Sequence, residues 1–173
     1  MDEYSPNECK GYTMTLQSAL LAECQQITDQ SEFARTNVLE VGCGYGITTA
    51  QISDYYPHCR EVLGIDSNKN AINYAFTFVA DEKMDFAYAN IEDQTTFDLS
   101  WAGKFHWIFS SQALFFVREH ATALRNLMWC LKPGGKCFIS VPAAKPTDFH
   151  FAAKKVFGAE CWKQNFEVIF PFY

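Results

Sequence analysis

The order of apolar patterns along this chain predicts an α/β fold: a doubly wound, mostly parallel sheet with helices on both faces. Three observations carry that prediction. From position 37 onwards, short β-branched and Leu-rich runs alternate with stretches of helical spacing, the pattern of successive strand–helix units. A glycine-rich loop, Gly42-Cys43-Gly44-Tyr45-Gly46, joins the first of these strands to its helix. The second strand ends on an acid, Asp66.

Each element has its own signal. Residues 1–13 are polar and irregular, and from 14 to 30 Leu16, Leu20, Cys24 and Ile27 recur at helical spacing. Residues 1–36 therefore read as an N-terminal segment with one helix, ahead of a domain over 37–173. Residues 37–41 form the first strand, and 47–56 a helix stopped by Pro57. "EVLGID" is the second strand. Ser67 is placed to cap the next helix, whose inward stripe is Ala71, Ile72, Ala75, Phe76 and Val79. "MDFAYAN" alternates as a third strand, and "FHWIFS" is a fourth. Residues 119–131 make a helix with Ala121, Leu124, Leu127, Met128 and Leu131 inward, ended by the turn "KPGG". "KCFISV" is the fifth strand. The tail reads as a helix broken near Gly158, then "NFEVIF" as a sixth strand or linker. Phe170, Phe172 and Tyr173 call for apolar cover that nothing downstream supplies, so the domain reads as C-terminally incomplete.

Composition narrows the function classes. About half of the 173 residues are hydrophobic and the net charge is −6. A core is affordable, and an acidic chain repels nucleic-acid phosphates. The seven cysteines contain no C-x-x-C and no Cys/His cluster of zinc spacing, so no metal site is expected and reduced thiols in the cytoplasm fit best. No apolar run reaches the roughly 18 residues of a membrane span.

The glycine spacing bears on the ligand. Gly42, Gly44 and Gly46 give G-x-G-x-G, whereas the dinucleotide fingerprint has its third glycine one place later. No Lys-Ser or Lys-Thr follows, which excludes the phosphate loop of nucleotide triphosphatases. Glu40, two before Gly42, would repel a pyrophosphate and suits a ligand carrying a cation, such as the amine and sulfonium of S-adenosylmethionine. Glycines admit the ligand close to the backbone, and the following helix N-terminus can meet its carboxylate. Asp66 can accept both ribose hydroxyls, a feature shared with dinucleotide enzymes. Asn90 is placed for the adenine amino group, with Ile91 as an apolar wall. Cys43 reads as a small packed residue. His106 and His120 have no partners that would make a hydrolase triad.

Together "VLEVGCGYGITTAQIS", "VLGIDSN", "FAYANIED" and "LKPGGKCFISV" resemble the successive motifs of class I S-adenosylmethionine-dependent methyltransferases, over residues 37–141. The resemblance implies a Rossmann-like sheet of order 3-2-1-4-5 with an antiparallel C-terminal pair. It implies cofactor contacts from the loop (Glu40, Gly42, Cys43, Gly44, Tyr45, Gly46), from Asp66 and Ser67, from Asn90 and Ile91, and from the end of the fourth strand around Ser110 to Gln112. Two departures stand out. Phe105-His106 replaces the Phe-Asp of many members, and the antiparallel pair is absent or half present in "NFEVIFPF". "SSQALFFV" lacks the Asn/Asp-Pro-Pro-aromatic run of amine-methylating nucleic-acid enzymes. It is similar to small-acid carboxyl methyltransferases of the trans-aconitate and juvenile-hormone-acid type, which show Leu-His-Trp where this chain has Leu114-Phe115-Phe116. In that family an N-terminal Gln and an aromatic close on the substrate; Gln17 and Tyr12 are the counterparts. The expected partner is thus a small organic molecule, a carboxylic acid among the candidates. No catalytic residue is assigned, and the oligomeric state is not legible. A second reading is an inactive, methyltransferase-like binding module that needs a partner or its missing C-terminal part.

Overall fold

The computed structural model describes residues 28–141 and, besides them, Leu21, Ala22, Cys24, Gln26, Ala152, Lys155 and Val156. Five strands, β1 (Asn37–Val41), β2 (Glu61–Asp66), β3 (Met84–Tyr88), β4 (Phe105–Ser111) and β5 (Leu131–Ser140), pair in the order β3-β2-β1-β4-β5. Every pairing is parallel. The order is the expected one. The N-terminal helix is described only at Leu21, Ala22, Cys24 and Gln26, which are helical. The antiparallel pair, Tyr12 and Gln17 lie outside the described residues.

Alternation along the strands builds two cores. Val38, Val62, Trp107 and Phe109 face one side, against Ile52, Ile72 and Ala75. Leu39, Leu63 and Ile108 face the other, against Leu124, Leu127 and Met128. Successive side chains point to opposite faces, and both faces are covered by helices, as parallel sheets require. The helices are α1 (Ile47–Tyr55), α2 (Lys69–Phe78) and α3 (His120–Cys130). α1 ends two residues before Pro57, whose ring disfavours helix before it.

Four expectations are corrected. Asn68, not Ser67, caps α2: its Oδ1 accepts from the N–H of Asn70 and Ala71. Phe76 is 60% exposed. At about 100° per residue it lies some 85° from the centre of the stripe formed by Ala71, Ile72, Ala75 and Val79. β5 starts directly after α3, because Leu131 already pairs with Phe105 and Lys136 pairs with Trp107. "KPGG" is thus an excursion within the strand rather than a turn before it. β3 stops at Tyr88, since Ala89 N–H donates to Asp66 O and Asn90 opens a turn. For the cap, Asn68→Ala is expected to cost about 1 kcal/mol, roughly 2–4 °C in Tm, and Ser67→Ala much less. Thermal melts of the two variants check this assignment.

His106 stands at the opening end of β4, away from the strand's carboxyl end. Its Nδ1 accepts from Asn37 N–H at 3.2 Å, and Lys132 Nζ lies 3.3 Å from Nε2. Partial burial, then the charges of Lys132 and Arg60, hold the imidazole below its usual range. It is a neutral strand residue that ties β4 to β1. Among the described residues no helix is long and apolar enough to cross a membrane.

Candidate functional site

β1 pairs with β2 on one side and β4 on the other, so the crevice beyond its carboxyl end is the switch point where open α/β sheets bind ligands. A cavity of about 900 Å³ opens there, walled by the ends of β1, β2 and β4 and the loop after β3. That is towards the upper end of the roughly 300–1,000 Å³ of small-molecule pockets.

The glycine loop is sewn to β2. The N–H groups of Gly42 and Cys43 both donate to Ile65 O, at 2.8 and 3.1 Å. Gly44 N–H donates to Asp66 Oδ2 at 2.8 Å, and Asn68 N–H to Asp66 Oδ1 at 2.8 Å. Each carboxylate oxygen still has acceptor capacity for a further hydroxyl. Gly44 has a φ of +53°, and a Cβ there would meet no heavy atom within 4 Å. Bare backbone therefore faces open space beside a held carboxylate. Gly46 begins α1 without a side-chain cap, so the first N–H groups of the helix are not taken by its own cap residue.

Twelve residues expected from the sequence line this one cavity: Gly42, Cys43, Gly44, Tyr45, Asp66, Ser67, Asn90, Ile91, Gln112, Leu114, Phe115 and Phe116. Three others lie behind the wall. Glu40 is 1% exposed and its Oε2 accepts from Thr49 Oγ1 of α1. Burial pushes its carboxyl up to about 7, with the Asp66 charge a lesser contribution, against the lowering hydrogen bond of Thr49. Gly46 packs on Phe86 and Ala75. Ser110 Oγ donates to Val41 O at 3.1 Å, and the next residue, Ser111, reaches the cavity instead. Burial, with the nearby Glu40 and Asp66 charges, pushes the Cys43 thiol far up, so it packs as a thiol rather than acting as a nucleophile.

Other wall residues carried no readable spacing. Ser111 is buried in the wall, and its Oγ has no hydrogen-bond partner among the described residues. A buried orphan hydroxyl calls for a polar ligand atom. Glu92 is the second carboxylate of the wall. Gln112 holds a φ of +61°, unusual for a residue with a Cβ, and its Nε2 donates to Ser140 Oγ at 2.8 Å. Such strain gathers at functional sites. Asn90 Oδ1 accepts from Glu92 N–H at 3.0 Å, closing the turn after β3.

The far rim is aromatic. Phe115 is 51% and Phe116 82% exposed, and Leu114 fills the core position. Leu114–Phe116 is one 3-10 turn, in which three successive side chains point in three directions. The two rings stand nearly perpendicular, 5.6 Å apart, at the cavity mouth. Gly-lined backbone, a poised carboxylate, apolar walls at Ile65, Ala89 and Ile91, and an orphan hydroxyl suit a nucleoside that carries a polar tail.

Comparison with known proteins gives the same picture. A family described as "Methyltransferase domain" matches residues 39–139. The ubiquinone biosynthesis O-methyltransferase of Nitrosococcus oceani is 30% identical over 136 residues, 79% of this chain and 55% of that protein. The trans-aconitate 2-methyltransferase of Deinococcus radiodurans is 29% identical over 73% of this chain and 45% of that protein. This chain spans about half the length of these relatives. Among solved structures, an S-adenosylmethionine-dependent methyltransferase from Mesorhizobium loti is similar in fold, with a TM-score of 0.57 and 20% identity over 82% of this chain and 70% of that one. So is the [4+2]-cyclase SpnF, at a TM-score of 0.61 and 18% identity over 76% and 48%. These two likenesses show the fold alone.

Proposed function

The chain belongs to the methyltransferase-domain family, the class I S-adenosylmethionine-dependent methyltransferases, and from that premise we propose that it binds S-adenosylmethionine and directs methyl transfer to a small organic acceptor. The observation that carries the reading is the pairing of Asp66 with bare, open backbone at Gly44. Asp66 accepts from the ribose hydroxyls while its loop hydrogen bonds keep it in place. Ile65, Ala89 and Ile91 give the adenine an apolar slot. Asn90 has its Oδ1 engaged by Glu92, so its Nδ2 is the better group for an adenine ring nitrogen. The first turn of α1, Ser111 and Gln112 serve the polar tail. When bound, the cofactor supplies a methyl group on a sulfonium, and alignment rather than protein nucleophilicity then sets the rate. Leu114, Phe115 and Phe116 position the acceptor and keep water away. The relatives' names, which include trans-aconitate and phosphoethanolamine, favour a small acceptor, as do the acidic net charge and the apolar rim. Cys43, Cys59, Cys130 and Cys137 are free thiols, in keeping with a cytoplasmic setting.

Thermal shift tests the reading. S-adenosylhomocysteine at a hundred times its dissociation constant stabilises by about 2.7 kcal/mol, roughly 5–10 °C. Asp66→Asn is expected to lose most of that shift, and NAD to give none. A shift with NAD alone would assign the loop to a dinucleotide, and no shift with either would end the proposal. With binding in hand, transfer of labelled methyl to a panel of small acids, phenols and amines identifies the acceptor.

A further inference from the structure

The turn that closes the nucleoside side of the cavity is tied to the segment that forms its acceptor side. Glu92 follows Asn90 and Ile91 in that turn. Its Oε1 accepts from the backbone N–H of Arg118 at 3.0 Å and of Glu119 at 2.7 Å. Those two residues connect the Leu114–Phe116 turn to α3. α3 has no side-chain cap of its own, since its N-cap residue Glu119 makes no such hydrogen bond. Glu92 supplies the missing acceptor from 27 residues away, with a charge that suits a helix N-terminus. A second tie lies one residue earlier: Asn126 of α3, 6% exposed, donates from Nδ2 to Ile91 O at 2.8 Å. At the strap's other end Gly42 is in contact with Ala113. The strap 112–119, which carries Phe115 and Phe116, is thus held at both ends by elements of the nucleoside site.

We propose that Glu92 is a positioning residue that fixes the acceptor-side strap to the nucleoside-side turn, so that filling the nucleoside site orders the rim where the acceptor docks. The proposal rests on the functional reading above. Glu92 touches no reacting atom in this scheme; it acts through the backbone of Arg118 and Glu119.

Amide hydrogen exchange on the whole chain, with S-adenosylhomocysteine as the probe, tests it. Without ligand, Glu92→Ala is expected to speed exchange across 112–119 by about tenfold or more, as loss of hydrogen bonds to a charged acceptor implies, with the β1 and β4 amides unchanged. With ligand, the wild type gains protection at both 42–46 and 112–119, while Glu92→Ala gains it at 42–46 alone. Glu92→Gln keeps an acceptor oxygen without the charge and is expected to hold the strap more tightly than Glu92→Ala and less tightly than the wild type. Should Glu92→Ala not fold, Glu92→Asp, one methylene short, takes its place in the same comparison. Strap exchange equal in wild type and variant, with or without ligand, overturns the proposal. If the ligand fails to protect 42–46 in the wild type, the functional reading falls, and the ligand-free comparison still decides whether Glu92 holds the strap.

Discussion

Gly42→Ala is expected to destabilise the protein by about 2–5 kcal/mol, whereas Gly44→Ala, two residues on, costs only about 1–2 kcal/mol and abolishes cofactor binding. Both glycines have positive φ, +79° and +53°, where a Cβ costs roughly 1–2 kcal/mol. The difference lies in what the new methyl group meets. At Gly42 it would stand 2.1 Å from Ala113 Cβ. Ala113 has no rotamer with which to retreat, so the backbone of the strap must move, and overpacking of that kind adds about 1–3 kcal/mol. Gln112, next to it, already holds a left-handed conformation with hydrogen bonds to Ser140, so little slack remains. At Gly44 the methyl enters the open cavity, where the ligand's backbone approach is made. Melting both variants with and without S-adenosylhomocysteine separates the two effects. A Gly44→Ala protein with an undiminished ligand shift would place the nucleoside elsewhere.

The parts of the site that depend on local rules were legible in the sequence. Glycines mark backbone that must turn left or admit a ligand, and an acid at the end of a strand is visible as such, so the loop and Asp66 could be read directly. Asn68 was within reach too, but two cap-forming residues stand side by side before α2 and local propensity does not choose between Ser67 and Asn68. The orientation of Glu40 was readable from alternation: it shares a face of β1 with Val38, which packs towards α1, and there Thr49 meets it. Reading Glu40 as a ligand-facing charge put the general habit of carboxylates above the pleat. Glu92 and Asn126 were out of reach. Their partners lie 26 to 35 residues away, and no spacing rule brings the turn after β3 against the start of α3. Ser111 falls inside the stretch from Ser110 to Gln112 that the resemblance pointed to, but which of its residues reaches the cavity is decided by where pairing with β5 ends β4, not by its own composition.

Glu40→Gln is expected to raise the stability of the ligand-free protein at alkaline pH and to weaken its hold on the cofactor. The carboxyl is buried among α1 and β1 and titrates near 7 instead of 4.5, with desolvation the main cause. A folded-state pKa above the unfolded one means that the native protein holds a proton which the unfolded chain has already released. Between pH 4.5 and 7 the unfolded state therefore binds fewer protons, and stability falls as pH rises. The full penalty, about 3 kcal/mol by the size of that displacement, applies above pH 7 and vanishes below 4.5. Glutamine is neutral throughout, and its amide can exchange a hydrogen bond with the hydroxyl of Thr49. Its melting temperature should track the wild type's at pH 4.5 and exceed it by several degrees at pH 8. Equal pH profiles for the two proteins would sink this account. A protein keeps a buried carboxylate at such cost where the charge serves its ligand. Glu40 lies directly behind the glycine loop, in a low-dielectric interior where its field reaches the cavity with little screening. The same substitution is accordingly expected to weaken S-adenosylhomocysteine, whose amine is cationic, by about tenfold, a loss of ~1.4 kcal/mol. Stability gained and affinity lost in one variant is the signature that separates a carboxylate kept for binding from one kept for the fold.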